Sequence, residues 1–364
     1  MSDRFGIDSH KLMFHPTRVS QWLGAGNDWE KLKKIYPIYL ELSPSGVCNH
    51  RCSFCAFDYI GYQKRVLSLG RLQQIIPEIA GLGVKSILCS GEGEPLLNQD
   101  IIPITKLIHG AGIDVAFASN ATLMDKKFTE RSLHHITWFK ASIAAGTKEN
   151  YAKIHHAQKS DFGKVIQNLK YAVYWKNKHK INCTLGAQIL LLPENAGEVE
   201  TLAKICRDDI GLDYLVVKPY SQHGLSSTDR YGELDYHLFD KEKLIKSDLS
   251  SERFSFIWRE STMKKISQKR QYDYCRAIPF LYAHITALGD VYGCSSFLGE
   301  EKFCYGNIND SSFQEIWEGE KRRQNYEYIK NVMDCSKCRS NCRMDEINSY
   351  LYDLHHPGAH VNFI

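Results

Sequence analysis

Three cysteines, Cys48, Cys52 and Cys55, form a C-x3-C-x2-C run in the segment VCNHRCSFCAFDY. A [4Fe-4S] cluster takes one protein ligand per iron, so three thiolates leave one iron open to a molecule with an amino and a carboxylate group. Two other interpretations stay open on spacing alone: a zinc site completed by His50, or three unrelated thiols. The run predicts a metal or cluster site whose nature the rest of the sequence must decide.

A second group of cysteines occupies the C-terminal quarter of the sequence. Its spacing is C-x18-C-x40-C-x2-C and its members are Cys275, Cys294, Cys335 and Cys338, with Cys342 after them and Cys304 between them. A C-x2-C pair is also typical of a structural zinc ribbon. Spacing alone therefore predicts a metal site without deciding between zinc and an iron-sulfur cluster.

Composition and charge limit the classes of protein to consider. The start, MSDRFGIDSHKLMF, lacks the apolar core of a secretory signal, and no stretch approaches about 18 uninterrupted apolar residues. We therefore expect a cytoplasmic protein with no membrane partner, in which the 12 cysteines stay reduced. The formal charge is +4 with basic and acidic residues interspersed, which argues against nucleic acid as a partner. Cys89, Cys183 and Cys206 lie in apolar stretches and are predicted to be buried small hydrophobes.

Residues 37–220 alternate short apolar runs with amphipathic stretches, the pattern of repeated strand-helix units. The six predicted strands are IYLELS (38–43), VKSILCS (84–90), DVAFAS (114–119), WFKASIA (138–144), TLGAQIL (184–190) and YLVVKPY (214–220). Helices are predicted at LGRLQQIIPEIAGLG and EVETLAKICRDD, among others. Six such units predict an α/β fold, a partial (β/α)6 TIM-like barrel with its site at the C-terminal strand ends.

The remaining sequence divides into smaller regions. An N-terminal extension covers 1–36, a linker with some helix covers 221–270, a small α+β domain covers 271–353, and a C-terminal tail covers 354–364. Within the small domain, AHITALGDVYGCSS is predicted to form a hairpin that turns at Leu-Gly-Asp, followed by a helix around SFQEIWEGEKRRQ.

The first cysteine run resembles the signature of the radical S-adenosylmethionine (SAM) superfamily, C-x3-C-x-aromatic-C, with Phe54 as the aromatic residue. The resemblance implies that Cys48, Cys52 and Cys55 hold a [4Fe-4S] cluster and that Phe54 lies against the adenine of SAM. It further implies SAM contacts from GEGEP and from later strands. These residues are Gly91, Gly93, Glu94, Pro95, Ser119, Asn120, Ser142 and Gln188. In GEGEP, Glu92 departs from the family's Gly-Gly-Glu-Pro-like segment.

The C-terminal region resembles the SPASM and twitch domains, which bind auxiliary [4Fe-4S] clusters in many radical SAM enzymes. GNINDSSFQEIWEGEKRR (306–323) is similar to a segment common in that group. A full SPASM domain carries seven cysteines, whereas this chain ends its series with C-x2-C-x3-C, so one auxiliary cluster is expected. The resemblance implies the ligands Cys275, Cys294, Cys335 and Cys338, with Cys342 as a substitute. Cys304 and Cys342 are candidate hydrogen donors to a substrate radical.

The resemblance implies reductive cleavage of SAM to a 5'-deoxyadenosyl radical, which the protein positions against a substrate. We expect a dehydrogenase-like radical SAM oxidoreductase that acts on a small polar molecule of the sugar or aminocyclitol type, with oxidation assisted by the auxiliary cluster. A flavodoxin- or ferredoxin-type protein is the expected electron donor. The alternatives are a peptide- or protein-modifying SPASM maturase, a radical epimerase with a cysteine hydrogen donor, and a non-catalytic structural iron-sulfur or zinc protein.

Overall fold

The computed structural model describes residues 5–7, 9–232, 234–236, 248–266, 268–340 and 342–363. Within these residues one sheet of ten strands runs through the molecule in the order β10-β9-β8-β1-β2-β3-β4-β5-β6-β7. The strands are β1 (Tyr39–Leu42), β2 (Ser86–Cys89), β3 (Asp114–Ser119), β4 (Trp138–Ser142), β5 (Thr184–Leu191), β6 (Tyr214–Pro219), β7 (Ser255–Trp258), β8 (Tyr282–Ile285), β9 (Asp290–Tyr292) and β10 (Cys304–Asn307).

Helices connect the strands and cover one face of the sheet. The α-helices are α1 (Pro16–Ala25), α2 (Trp29–Leu32), α3 (Leu69–Gly81), α4 (Ile101–Gly110), α5 (Lys126–Ser132), α6 (Lys148–His155), α7 (Lys159–His179), α8 (Val199–Lys204), α9 (Glu260–Lys265), α10 (Phe313–Glu318), α11 (Glu320–Asn331) and α12 (Asp345–His355). A π-helical turn, Ile205–Ile210, extends α8, and short 3-10 turns include Asp58–Ile60, Pro95–Leu97 and Cys335–Lys337. No helix among the described residues has the length and apolar character needed to cross a membrane.

The six predicted strands are β1 to β6, which pair side by side in parallel. Alternation of side chains separates two faces of this sheet. Residues such as Leu40, Phe139 and Leu215 are buried and belong to the main hydrophobic core with helix residues such as Ile76 and Leu169. The sheet with its helices on one face is consistent with the predicted partial barrel.

The region predicted as a linker contains more regular structure than expected. β7 (Ser255–Trp258) pairs in parallel with β6, so the parallel sheet continues beyond the six predicted strands. The helical part of the prediction is represented by α9 in the described residues, whereas 237–247 lies outside them. The domain boundaries themselves stay predictions.

The C-terminal region joins the same sheet from the opposite edge. The predicted hairpin is present as β8 and β9, which pair antiparallel, and β10 pairs with β9. β8 also pairs in parallel with β1, from Tyr39 opposite Tyr282 to Leu42 opposite Ile285. Helices α1, α2 and α12 contribute to a further apolar cluster, which includes Trp22, Phe280 and Leu351. The N- and C-terminal regions therefore pack on each other beside the sheet.

Candidate functional site

The first cysteine run forms the loop that follows β1. Cys48, Cys52 and Cys55 are half-buried and in no disulfide. Burial raises the pKa of the Cys52 thiol well above its usual value, and the charges of Cys55 and Cys48 raise it further. Burial likewise raises the pKa of Cys48 to about 12, with Glu94 adding to the effect. Neighbouring thiols of this kind ionise when a positive centre binds them, so the donor set fits an iron-sulfur cluster.

A fixed histidine lies beside this loop. The His155 ring is fully buried at the end of α6, and its Nε2 accepts a hydrogen bond of 3.0 Å from the Ala144 backbone N–H. The proton of the neutral ring therefore lies on Nδ1, which is 3.1 Å from Sγ of Cys52. Burial lowers the pKa of His155 to about 3, so the ring stays neutral. His155 thus donates an N–H···S hydrogen bond to Cys52.

A zinc site that uses His155 and one of the three cysteines, unlike the site predicted from the sequence, has a basis in this geometry. One ligand atom each from His50, Cys52 and His155 lies within 4.8 Å of the others. Among the residues that the structure describes, neither ring nitrogen of His50 has a hydrogen-bond partner, although Nε2 is 3.6 Å from a carboxylate oxygen of Asp161. An ion at this point would have to take Cys52 away from the other two cysteines of the run. Zinc and a cluster held by the three thiols are therefore mutually exclusive at this loop.

The GEGEP segment follows β2 and lies against the cysteine loop. A Cβ on Gly93 would meet the Val47 carbonyl oxygen at 2.3 Å, and one on Gly91 would meet Ser43 Oγ at 2.0 Å. Gly91 also has φ +104°, a conformation that side chains disfavour. Both glycines are thus required by contacts within the protein. Pro95 begins the 3-10 turn Pro95–Leu97 and is buried.

Glu94 is fixed by hydrogen bonds from three directions. Its Oε1 accepts from Ser119 Oγ at 2.7 Å and from the Leu96 N–H at 3.1 Å, and its Oε2 accepts from the Asn120 N–H at 2.8 Å. Burial raises the pKa of Glu94, and these bonds oppose the rise. The Asn120 amide donates to Asn49 Oδ1 at 2.7 Å. The structure therefore brings GEGEP, the end of β3 and the cysteine loop together.

Glu92, the departure from the family pattern, has a partner far along the chain. Its carboxylate accepts a hydrogen bond of 2.8 Å from the Ala287 N–H, just beyond β8, and its own N–H donates to Ser43 Oγ at 3.2 Å. Glu92 thereby ties the GEGEP segment to the C-terminal hairpin.

The face of the sheet away from the helices carries polar and charged side chains, which we call the lumen residues. They are Glu41 in β1, Lys140 and Ser142 in β4, Gln188 in β5, Lys218 in β6, and Tyr282 and His284 in β8. β5 continues to Leu191, so Gln188 lies within the strand and not at its end as predicted. Gln188 Oε1 accepts a hydrogen bond of 3.0 Å from Lys140 Nζ, and its backbone is in register with Ser142.

Residues next to both cysteine groups in the sequence lie against the lumen residues. Phe57, two positions after Cys55, has its ring centroid 6.4 Å from that of His284. Arg343, which follows Cys342, lies 2.6 Å from Oε1 of Glu41. The other carboxylate oxygen of Glu41, Oε2, accepts a hydrogen bond of 2.5 Å from the Tyr282 hydroxyl. The Phe54 ring lies edge-on to His155 with centroids 5.6 Å apart. Sequence reasoning missed His155, Glu41 and Arg343, because no local pattern connects residues this far apart.

The second cysteine group also converges. Burial raises the pKa of Cys275 to about 12, and the charges of Cys342 and Cys335 contribute. Burial also raises the pKa of Cys294, and the charges of Cys342 and Cys275 add to the rise. A hydrogen bond from Cys338 lowers the pKa of Cys335. Arg270 donates to the carbonyls of Cys335 (2.6 Å) and Cys338 (3.2 Å) and thereby shapes their loop. All five cysteines fit a cluster site by the chemistry of their thiols.

Cys304 begins β10 and, like Cys342, packs against the apolar cluster that contains Cys275 and Cys335. Burial raises the pKa of its thiol, and the neighbouring charges are those of Asp290 and Lys321. Cys342, the other candidate hydrogen donor, lies within the second cysteine group. Both candidates therefore lie beside one apolar cluster, and Cys342, unlike Cys304, is among the charges that act on the pKa values of Cys275 and Cys294.

Two family models match this chain. The radical SAM superfamily model matches residues 42–206, and the iron-sulfur cluster-binding domain model (SPASM) matches residues 275–343. These families bring a SAM-binding [4Fe-4S] cluster and auxiliary iron-sulfur binding as their cofactors. The two matched regions contain both cysteine groups.

Similar curated proteins are named GTP 3',8-cyclase. The protein from Clostridium perfringens (strain 13 / Type A) is 24% identical over 217 residues, which cover 58% of this chain and 64% of the relative. The protein from Aliarcobacter butzleri (strain RM4018) is 31% identical over 154 residues, 40% of this chain and 46% of the relative. The chain thus spans less than two thirds of the length of these relatives.

Solved structures share the fold over most of the chain. SuiB of Streptococcus suis, bound to the precursor peptide SuiA, has a TM-score of 0.64 at 19% identity and covers 95% of this chain and 78% of SuiB. Native anSMEcpe with bound AdoMet has a TM-score of 0.57 at 18% identity and covers 88% of this chain and 99% of its own. At these identities the likeness is one of fold. The chain therefore contains a radical SAM domain over residues 42–206 and a C-terminal SPASM-type iron-sulfur cluster-binding domain over residues 275–343.

Proposed function

We propose that this chain is a radical SAM oxidoreductase that abstracts hydrogen from a small polar substrate, of the sugar or aminocyclitol type, bound against the lumen residues. The observation that carries the proposal is the polar inner face of the sheet, against which Phe57 and Arg343, neighbours of the two cysteine groups, are placed. Glu41, Lys140 and Gln188 offer charge and hydrogen bonds there, which a polar molecule needs and an apolar one does not.

The residues around the first cysteine run have separate roles in this proposal. Cys48, Cys52 and Cys55 hold the cluster, and Glu94, fixed by Ser119 and Asn120, receives the amino group of SAM. Phe54 packs against the adenine, and the remaining predicted contacts are Gly91, Gly93, Pro95, Ser142 and Gln188. When bound, the reduced cluster supplies the electron that cleaves SAM to methionine and the 5'-deoxyadenosyl radical. A flavodoxin- or ferredoxin-type protein would deliver that electron.

The second cysteine group determines the fate of the substrate radical. Cys275, Cys294, Cys335 and Cys338, with Cys342 as the substitute, would hold an auxiliary cluster. That cluster would take the electron of the substrate radical as the radical releases a proton to water, which completes a two-electron oxidation. A free thiol at Cys304 or Cys342 would instead return a hydrogen atom and produce an epimer. The convergence of Cys342 with the other four cysteines supports oxidation over epimerisation.

Peptide modification is the second candidate function. SuiB is seen bound to a precursor peptide, and anSMEcpe to AdoMet with the Kp18Cys peptide. The name GTP 3',8-cyclase gives the curated relatives a small-molecule substrate and so supports the first candidate. Because the fold is common to all these proteins, only the identity of the substrate separates a small-molecule oxidoreductase from a peptide-modifying enzyme.

The test is a substrate screen with the reconstituted, reduced protein in D2O. Pools of sugars and aminocyclitols are compared with a pool of peptides, and 5'-deoxyadenosine formation is measured against the rate without substrate. We expect stimulation by a small polar molecule and a product that has lost two hydrogens. Stimulation by peptides alone would replace this proposal with the second candidate. Deuterium from solvent at a carbon of the product would establish epimerisation instead.

A further inference from the structure

The lumen residues carry more positive than negative charge. Lys140 in β4 reaches Gln188, whose own backbone is in register with Val216 in β6. Lys218 lies two residues beyond Val216 and thus on the same face of the strand. The two lysines therefore project from nearby strands toward the same space.

The loop of the second cysteine group adds two arginines to this space. Arg339 donates a hydrogen bond of 2.9 Å to the carbonyl of Ser221, three residues after Lys218. Arg343 reaches Glu41 from the other side of the lumen. Arg259, directly after β7, has its backbone N–H bonded to the Val217 carbonyl at 3.1 Å and lies beside Lys218 as well.

Among the described residues, Lys140, Lys218 and Arg339 have no acidic side chain as an ion-pair partner. Glu41 is paired with Arg343, and Lys140 has the neutral amide of Gln188 as its acceptor. Lys218 has no acceptor among the residues that the structure describes, and Nε of Arg339 is buried without a partner there. Burial, then the charges of Lys140 and the three arginines, lower the pKa of Lys218 well below its usual value. An anion in this space would remove that repulsion.

We propose that the lumen binds a phosphoryl group of the substrate, held by Lys140, Lys218 and Arg339. This inference rests on the proposed function, because it assigns the chemical class of the substrate in the same lumen. A phosphoryl group carries about −1.5 to −2 charges, which matches the three cations Lys140, Lys218 and Arg339 better than the single charge of a carboxylate. Lysine binds phosphate as a point charge and arginine binds it through two parallel N–H groups.

A purely structural role for the cations makes a different prediction. Arg339 and Arg343 flank Cys342 in sequence and could offset the negative charge of an auxiliary cluster without binding substrate. Lys140 and Lys218 belong to barrel strands, so their variants separate the two roles. Lys164, exposed on α7, is the matched control lysine.

The experiment is calorimetric titration of the oxidised, SAM-loaded holoprotein with inorganic pyrophosphate at constant ionic strength, with succinate as the dicarboxylate comparison. We expect one pyrophosphate per chain and weaker binding of succinate. Lys218→Met and Lys140→Met should each weaken pyrophosphate binding by about tenfold or more, because each loses a charge-assisted hydrogen bond. Lys164→Met should bind like the wild type, and Lys218→Arg, which keeps the positive charge, should bind pyrophosphate more tightly than Lys218→Met. Thermal melting and iron content verify that each variant is folded and loaded.

No pyrophosphate binding by the wild type, or equal binding by the two methionine variants, overturns the inference. Succinate binding as tight as pyrophosphate overturns the phosphoryl assignment. The same preparation is assayed for 5'-deoxyadenosine, which separates this inference from the proposed function. SAM cleavage without pyrophosphate binding contradicts only the inference, whereas lysine-dependent binding without cleavage contradicts only the radical chemistry.

Discussion

Replacement of His155 by leucine is predicted to lower the reduction potential of the cluster at the first cysteine run. His155 donates from Nδ1 to Sγ of Cys52 at 3.1 Å, because its Nε2 is occupied by the Ala144 N–H. Reduction adds negative charge to the cluster sulfurs, so this hydrogen bond stabilises the reduced state more than the oxidised state. His155→Leu lacks this hydrogen bond and so loses the extra stabilisation of the reduced state.

The size of the shift follows from hydrogen-bond energies. A neutral hydrogen bond contributes about 1 kcal/mol and one to a charged group about 1.5–3 kcal/mol, so one added electron strengthens the bond by about 1 kcal/mol. For a one-electron couple about 1.4 kcal/mol corresponds to about 59 mV, and the expected change is therefore about 40 mV toward negative potential. His155→Asn keeps an N–H donor near the Nδ1 position and should shift less.

The assay is a potentiometric titration followed by electron paramagnetic resonance, with SAM added to identify the cluster that it binds. His50→Leu is the matched control, because His50 lies in the same pocket but has no hydrogen-bond partner on its ring nitrogens. His155→Leu also leaves the Ala144 N–H unpaired, at a cost of about 1–3 kcal/mol, so iron content is measured on each variant. An unchanged potential in loaded His155→Leu, or an equal shift in His50→Leu, would refute the reasoning.

Gly93→Ala should destabilise the cysteine loop and lower its iron content, because the new Cβ would lie 2.3 Å from the Val47 carbonyl oxygen. Gly197→Ala is the control and should load iron normally, because in the described part of the chain its Cβ would meet nothing within 4 Å. Equal iron content in the two variants would contradict the packing argument. Cys294→Ser should reduce iron from about eight to about four per chain while Cys304→Ser keeps about eight, and the reverse result would exclude Cys294 as a ligand. Arg322→Met should lower the free energy of unfolding by about 3 kcal/mol, because the buried guanidinium donates to the carbonyls of Pro279 (2.7 Å) and Trp317 (2.6 Å). Urea unfolding beside the exposed control Arg323→Met measures this, and equal losses would show that burial is not the cause.

The strands of the barrel were predictable because each combines a short apolar run with flanking helical periodicity. β7 was missed because its sequence, SFIW, is short and lies in a charged stretch, so only its pairing with β6 gives it a place in the sheet. The predicted end of β5, at residue 190, is one residue short of the observed end, because the apolar run continues through Leu191. Local pattern thus predicts elements but not their pairing partners.

The candidate site divides in the same way. The cysteine spacing and GEGEP are local and could be identified from the sequence. Glu92 contacts Ala287 and His155 contacts Cys52 across long stretches of chain, and only the folded structure brings them together. The sequence marks Glu92 only as a departure from the family pattern, whereas the structure gives it a partner in the hairpin.

The central claim is that this chain holds two [4Fe-4S] clusters and cleaves SAM. The most direct test is anaerobic reconstitution with iron and sulfide, iron counting, and measurement of 5'-deoxyadenosine after reduction with dithionite, beside the variant in which Cys48, Cys52 and Cys55 are alanine. We predict about eight irons and SAM cleavage for the wild type, and about four irons without cleavage for the variant. Bound zinc in place of iron, or no cleavage by fully loaded protein, would contradict the claim.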